Sequence, residues 1–142
     1  MRQFQTWAFM ALTALILVVA AEAGEAKKAA IILTSSEPES SGFGLAVANA
    51  MHDAGIDSTL FLAGQAADLA KTSGYQPPFG GGPSPREMIA SLLKKGGKVF
   101  VCEGFMKMHQ LETSQLVKGV AVGTPATLVS ALYATGTQVL SF

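Results

Sequence analysis

From residue 28 onward, short apolar runs alternate with segments of helical periodicity. Residues 28–34 hold Ala29, Ala30, Ile31, Ile32 and Leu33 without a break, bounded by Lys28 and by Ser35-Ser36-Glu37-Pro38. An apolar run that does not alternate suits a strand covered on both faces. After that loop Phe43, Val47, Ala50, Met51 and Ala54 recur at helical spacing, and Gly55 stands where a helix C-terminus favours glycine. Residues 58–63 read as a second strand, and residues 65–71 as about two turns of helix.

Residues 72–83, with four glycines and three prolines, suit neither a helix nor a central strand and are read as a loop. It is open to two uses: a solvated connection, or a lid and docking surface near the reactive residue, carrying Tyr75 and Phe79. Ser84-Pro85-Arg86-Glu87 then forms a capping box with proline at the first helical position. Met88, Ile89, Leu92 and Leu93 make the buried side of the helix it opens, and Gly96-Gly97 ends it.

Residues 98–102 are the third strand, and residues 112–118 are expected as a short helix stopped by Gly119. A minimal strand follows at residues 120–122. Thr124-Pro125 caps a last helix whose Leu128, Val129 and Leu132 are expected to face inward, and residues 137–142 close the chain as a fifth strand. Five apolar strands alternating with helices predict a parallel α/β sheet with helices on both faces. The order of the strands is not readable from one sequence.

Residues 1–23 form a different pattern: a short segment with one positive charge, an apolar run from Trp7 to Ala21 and the small-residue triplet Ala21-Glu22-Ala23. This is the design of a secretory signal peptide, and the run is shorter than the roughly 20 apolar residues of a spanning helix. No paired arginine marks the twin-arginine route, so a Sec-type signal is expected. The expected product is one domain, residues 24–142, periplasmic or secreted, and off the membrane once the signal is cleaved.

Composition narrows the classes of function. Only 14% of residues are charged, 49% are hydrophobic, and ten basic residues balance ten acidic ones. That excludes a disordered charged tail and removes the electrostatic attraction on which nucleic-acid binding depends. The single cysteine, Cys102, excludes a disulfide framework and a four-cysteine zinc site within the chain.

In an open α/β sheet, reactive groups collect at the carboxyl ends of the strands. Cys102 ends the third strand, where Glu103-Gly104-Phe105 is expected to turn the chain away. A helix N-terminus close to a sulfur favours the nucleophilic thiolate, and the adjacent Glu103 carboxylate opposes it. Position alone leaves two readings open: a reactive thiol, or a structural cysteine acting as a small hydrophobe.

The strand-end cysteine of Val99-Phe100-Val101-Cys102, the preceding helix ending in Lys-Lys-Gly-Gly, Leu116-Val117-Lys118-Gly119-Val120 and the closing Val139-Leu140-Ser141-Phe142 resemble the DsrE/DsrF-like family of sulfur-relay proteins. Ala50-Met51-His52-Asp53-Ala54-Gly55 and the following Ser58-Thr59-Leu60-Phe61-Leu62 are similar to that family's first helix and second strand. The resemblance implies a three-layer α/β/α fold around a five-stranded parallel sheet and assembly into homotrimers or hexamers. It also implies that Cys102 carries a persulfide between sulfur donor and acceptor proteins, as a carrier or accessory protein rather than a stand-alone enzyme, with no cofactor. Two departures stand out: the export signal, and the acidic Glu103 beside the cysteine.

Other chemistries compete. Cys102, Met106 and His109 would share a face if their segment were helical, and their soft and imidazole ligands suit copper. His109 is alternatively a general base for Cys102 or a surface histidine, and His52 belongs to a solvated helix face with Asn49 and Asp53. A binding or assembly module with a structural Cys102, and a thiol peroxidase needing an external resolving thiol, complete the field. Gly42-Phe43-Gly44 fails as a dinucleotide fingerprint because Val47 holds the third glycine position, and no Gly-Lys-Ser or Gly-Lys-Thr follows Gly80-Gly81-Gly82.

Overall fold

The computed structural model describes residues 27–142. The stretch read as an export signal lies outside the described residues. In chain order the elements are β1 (Lys28–Leu33), α1 (Pro38–Asp53), β2 (Asp57–Leu62), α2 (Pro85–Lys94), β3 (Lys98–Cys102), α3 (Glu103–Met108), β4 (Ala121–Gly123), α4 (Pro125–Leu132) and β5 (Thr137–Ser141). Short 3₁₀ segments occupy Gly64–Ala70, Phe79–Gly81 and Thr113–Gln115. All strand pairs are parallel, in the order β4-β3-β2-β1-β5. The first three crossovers step one way along the sheet, and the last returns to the far side of β1. The architecture is the three-layer α/β/α expected.

One side of the sheet carries the core. Ile31, Leu33, Leu60, Leu62, Val99 and Val101 alternate with residues of the opposite side and are all buried against Leu45 and Ala48 of α1 and Met88, Ile89 and Leu92 of α2. Helix α2 starts on the predicted capping box: Ser84 N–H donates to Glu87 Oε2 at 2.7 Å, and Glu87 N–H returns a bond to Ser84 Oγ at 3.4 Å. Gly55 lies in the left-handed region at φ 81°, ending α1 as read.

Several expectations are corrected. The buried face of α1 is Ser41, Gly44, Leu45 and Ala48, while Phe43 is 53% exposed and stacks edge-on with Phe142. Small residues let this helix sit close to its neighbours. A methyl group at Gly42 would lie 2.3 Å from the Phe79 ring, which closes over it. Residues 65–71 wind as a 3₁₀ segment, Gly64–Ala70, rather than an α-helix.

Residues 112–118 form no α-helix beyond the 3₁₀ turn Thr113–Gln115. Helix instead begins directly after Cys102, because Met106 plugs into the core and Leu111 and Leu116 anchor the following strap. Helix α4 buries no residue at all, and Val129, expected inward, is 52% exposed.

Residues 72–83 are mostly exposed, as in a solvated connection, but their first part is tied down. Arg86 donates to the carbonyls of Lys71 at 2.7 Å and of Ser73 and Gly74 at 2.9 Å each. Gln76 donates to Leu69 O at 3.0 Å and accepts from Arg86 N–H at 2.8 Å.

Candidate functional site

Pairing register maps the second side of the sheet, the one α4 crosses. Its rows run Val139, Ala30, Thr59, Lys98, and then Ser141, Ile32, Phe61, Phe100, Ala121. Phe61 and Phe100 stack at 5.2 Å with their planes 17° apart, fixing β3 just before its end. Cys102 lies two residues beyond Phe100, so it shares this side at the carboxyl rim.

Cys102 is a free cysteine, and the residue is partly exposed. Across the ladder Cys102 pairs with Gly123, so no side chain flanks it from β4. A methyl group on Gly104 would come to 4.0 Å from Sγ, so this second glycine also leaves the approach open. Cys102 is the N-cap residue of α3 in extended conformation, φ −63° and ψ 124°. The helix begins at Glu103, where a turning loop was expected. Lys107 Nζ lies 2.7 Å from the carboxylate of Glu103, so the acidic residue beside the cysteine is paired within α3. Residue Gly123 also leads into Thr124, whose Oγ1 accepts from Thr127 N–H at 3.3 Å and opens α4 beside the cysteine strand.

The structure separates the other candidates from Cys102. His109 caps the far end of α3, about 10 Å along the helix from Cys102 at 1.5 Å per residue. Its Nδ1 lies 3.2 Å from Asp68 Oδ2, while Lys71 Nζ sits 2.6 Å from Asp68 Oδ1. Partial burial pushes the Asp68 carboxyl up, but hydrogen bonds and charge from Lys71 and His109 prevail and hold it below its ordinary range. His109 is thus a partner of Asp68, not a base for Cys102.

Met106 is 6% exposed and packs in the core, while Met108 is 74% exposed, so Cys102, Met106 and His109 make no ligand set. Among the described residues no group of three or more His, Cys, Asp or Glu is placed to hold a metal ion. His52 binds the carbonyl of Lys95 through Nε2 at 2.8 Å, tying α1 to α2 rather than lying on a solvated face.

The strap of residues 72–83 does not cover the cysteine. With Ser36, Ser41, Asp68 and Lys71 it borders a cavity of about 290 Å³ beyond the ends of β1 and β2, and Cys102 does not line it. Gly104, Gly123 and the Asp68 cluster escaped the sequence reading. Gly123 needs the strand order to be placed beside Cys102, and Asp68 needs the tertiary fold to meet His109.

A lone thiol at the carboxyl rim of a parallel sheet, flanked by glycines, defines a single-cysteine α/β/α protein with its chemistry at one strand end. The chain belongs to the DsrE/DsrF-like family, whose sequence model matches residues 27–142. Its fold is similar to that of the ychN protein from E. coli, known from a crystal structure, with a TM-score of 0.69 and 24% identity over 82% of this chain and 98% of that one. No curated protein matches the chain. Among the described residues no helix is long and apolar enough to cross a membrane.

Proposed function

We propose that the protein is a sulfur carrier that holds sulfur on Cys102 as a persulfide. Family membership supports a sulfur-relay role, and the observation that carries the reading is the open rim position of the only thiol. The Cys102 thiolate attacks the outer sulfur of a donor persulfide, forming Cys102-S-SH as the donor thiolate leaves. An acceptor thiolate then takes that outer sulfur and Cys102 departs as thiolate, so no net oxidant or reductant is consumed. Gly104 and Gly123 leave a partner sulfur room to approach along the S–S axis.

The same reading places the carrier outside the cytoplasm, with residues 1–23 removed as a signal, and makes it a homo-oligomer, a trimer or hexamer. Support for assembly comes from α4, its C-terminal cap and β5. Val129, Tyr133 and Val139 are 52%, 85% and 51% exposed, and residues 119–142 contain no Asp, Glu, Lys, Arg or His. An apolar, uncharged surface that includes both edge strands is a pairing hazard unless another copy covers it.

Mature protein incubated with a sulfane donor is expected to gain about 32 mass units, reversibly with a thiol reductant. Cys102→Ser is expected to gain none. An unchanged wild-type mass would overturn the carrier reading. N-terminal sequencing of the exported product is expected to begin at Gly24, and retention of Met1 would remove the signal-peptide assignment.

A further inference from the structure

Beneath α4, at the amino ends of the strands and away from Cys102, lies a half-open cavity of about 290 Å³. Its origin is a mismatch of sizes. The side of α4 toward the cavity is Thr127, Ser130 and Ala131, with Ala134 just past the helix, and the sheet beneath presents Ala30 and Thr59, so small side chains meet small side chains and the layer does not close.

The chemistry of the walls is uneven. Lys28 and Lys98 stand at the amino-end rim beside Asp57, which lies 3.3 Å from Lys98. Lys28 makes no ion pair among the described residues, so the rim keeps one positive charge in excess. The Thr137 hydroxyl oxygen on the wall is buried with no hydrogen-bond partner among the described residues, although buried hydroxyls are ordinarily satisfied. Deeper in, Ala30, Phe100, Ala131 and Ala134 give an apolar lining. A cavity of roughly 150 Å³ is enough for a benzene ring, so this one admits a ring with a polar head.

We propose that this cavity binds a small organic anion, an aryl or short alkyl carboxylate. The apolar body lies between α4 and Phe100, and the carboxylate meets Lys28 and Lys98 at the rim. The site is independent of sulfur transfer, because Phe100 and not Cys102 marks its end along β3.

The test uses benzoate and its neutral counterpart benzamide against the mature protein, followed by amide shifts in two-dimensional NMR. Benzoate is expected to saturate with a dissociation constant of about 10 mM or tighter, moving the resonances of Lys28, Thr59, Lys98, Thr127 and Thr137. Benzamide is expected to bind about tenfold more weakly, and Lys28→Gln with Lys98→Gln is expected to erase that difference. Ala131→Leu fills the space and is expected to abolish binding of both while the Cys102 mass gain persists. Equal affinity for benzoate and benzamide, absence of saturable shifts at these residues, or undiminished binding in Ala131→Leu would each overturn the proposal.

Discussion

The two sides of the sheet are built on opposite terms. Under α1 and α2, aliphatic side chains of three strands and two helices are buried completely, and helix ends are tied by Asp53 to Lys95, His52 to the Lys95 carbonyl and the Ser84–Glu87 box. On the other side α4 buries nothing, its exposed residues are uncharged and mostly apolar, and small side chains leave a cavity below it. The contrast separates work within the domain. The first side supplies the stability of a monomer; the second, which also carries Cys102 at its rim, is free to meet other molecules.

The largest expected effect tests that division directly. Leu60→Ala on the closed side is expected to cost about 2–5 kcal/mol in urea unfolding, as full burial of a leucine predicts. Val129→Ala on α4 is expected to cost under about 0.5 kcal/mol in the dissociated chain, as for other exposed sites. Comparable losses in both would erase the distinction between the sides.

Arg86→Ala comes next. It strands the carbonyls of Lys71, Ser73 and Gly74 and is expected to cost about 1–3 kcal/mol and to expose residues 72–78 to limited proteolysis, leaving sulfur loading of Cys102 intact. Loss of loading would show that the strap serves the cysteine after all.

Substituting Val129→Glu sharpens the comparison from the other side. If the proposed homo-oligomer forms through this surface, a charge placed on α4 is expected to give monomers in light scattering while circular dichroism stays unchanged. An unchanged oligomer would move the interface elsewhere.

The smallest effect concerns pH. The Asp68 and Glu87 carboxyls are held below their ordinary values, so each favours the folded state above its unfolded pKa, and that contribution is lost as pH falls through the lower folded pKa. Thermal unfolding of Asp68→Asn is therefore expected to fall less steeply than wild type on acidification below about pH 4. An identical slope would remove Asp68 as a contributor.

Much of the fold was legible because hydrophobic runs and helix signals agreed. Val99-Phe100-Val101-Cys102 gave β3 to its last residue, and Ser84-Pro85-Arg86-Glu87 gave the start of α2. The failures share a physical cause. Hydropathy weighs large side chains, so it favoured Phe43 and Val47 on α1, whereas close packing selected Gly44, Leu45 and Ala48. It likewise turned Val129 of α4 toward a core, although that side chain is exposed, while Leu128 and Leu132 are half-buried.

Glu103-Gly104-Phe105 was read as a turn, yet α3 begins at Glu103 and Met106 is buried in the core. Cys102 itself was legible from composition and position. Its glycine neighbour on β4 was not, because strand order lies outside local sequence.

Alkylation of Cys102 followed in native and urea-unfolded protein tests most directly whether the thiol works at an open rim. The account predicts modification of the native protein at a rate within about tenfold of the unfolded chain, since a partly exposed thiol does not wait for unfolding. Modification that proceeds only as fast as global unfolding would contradict it.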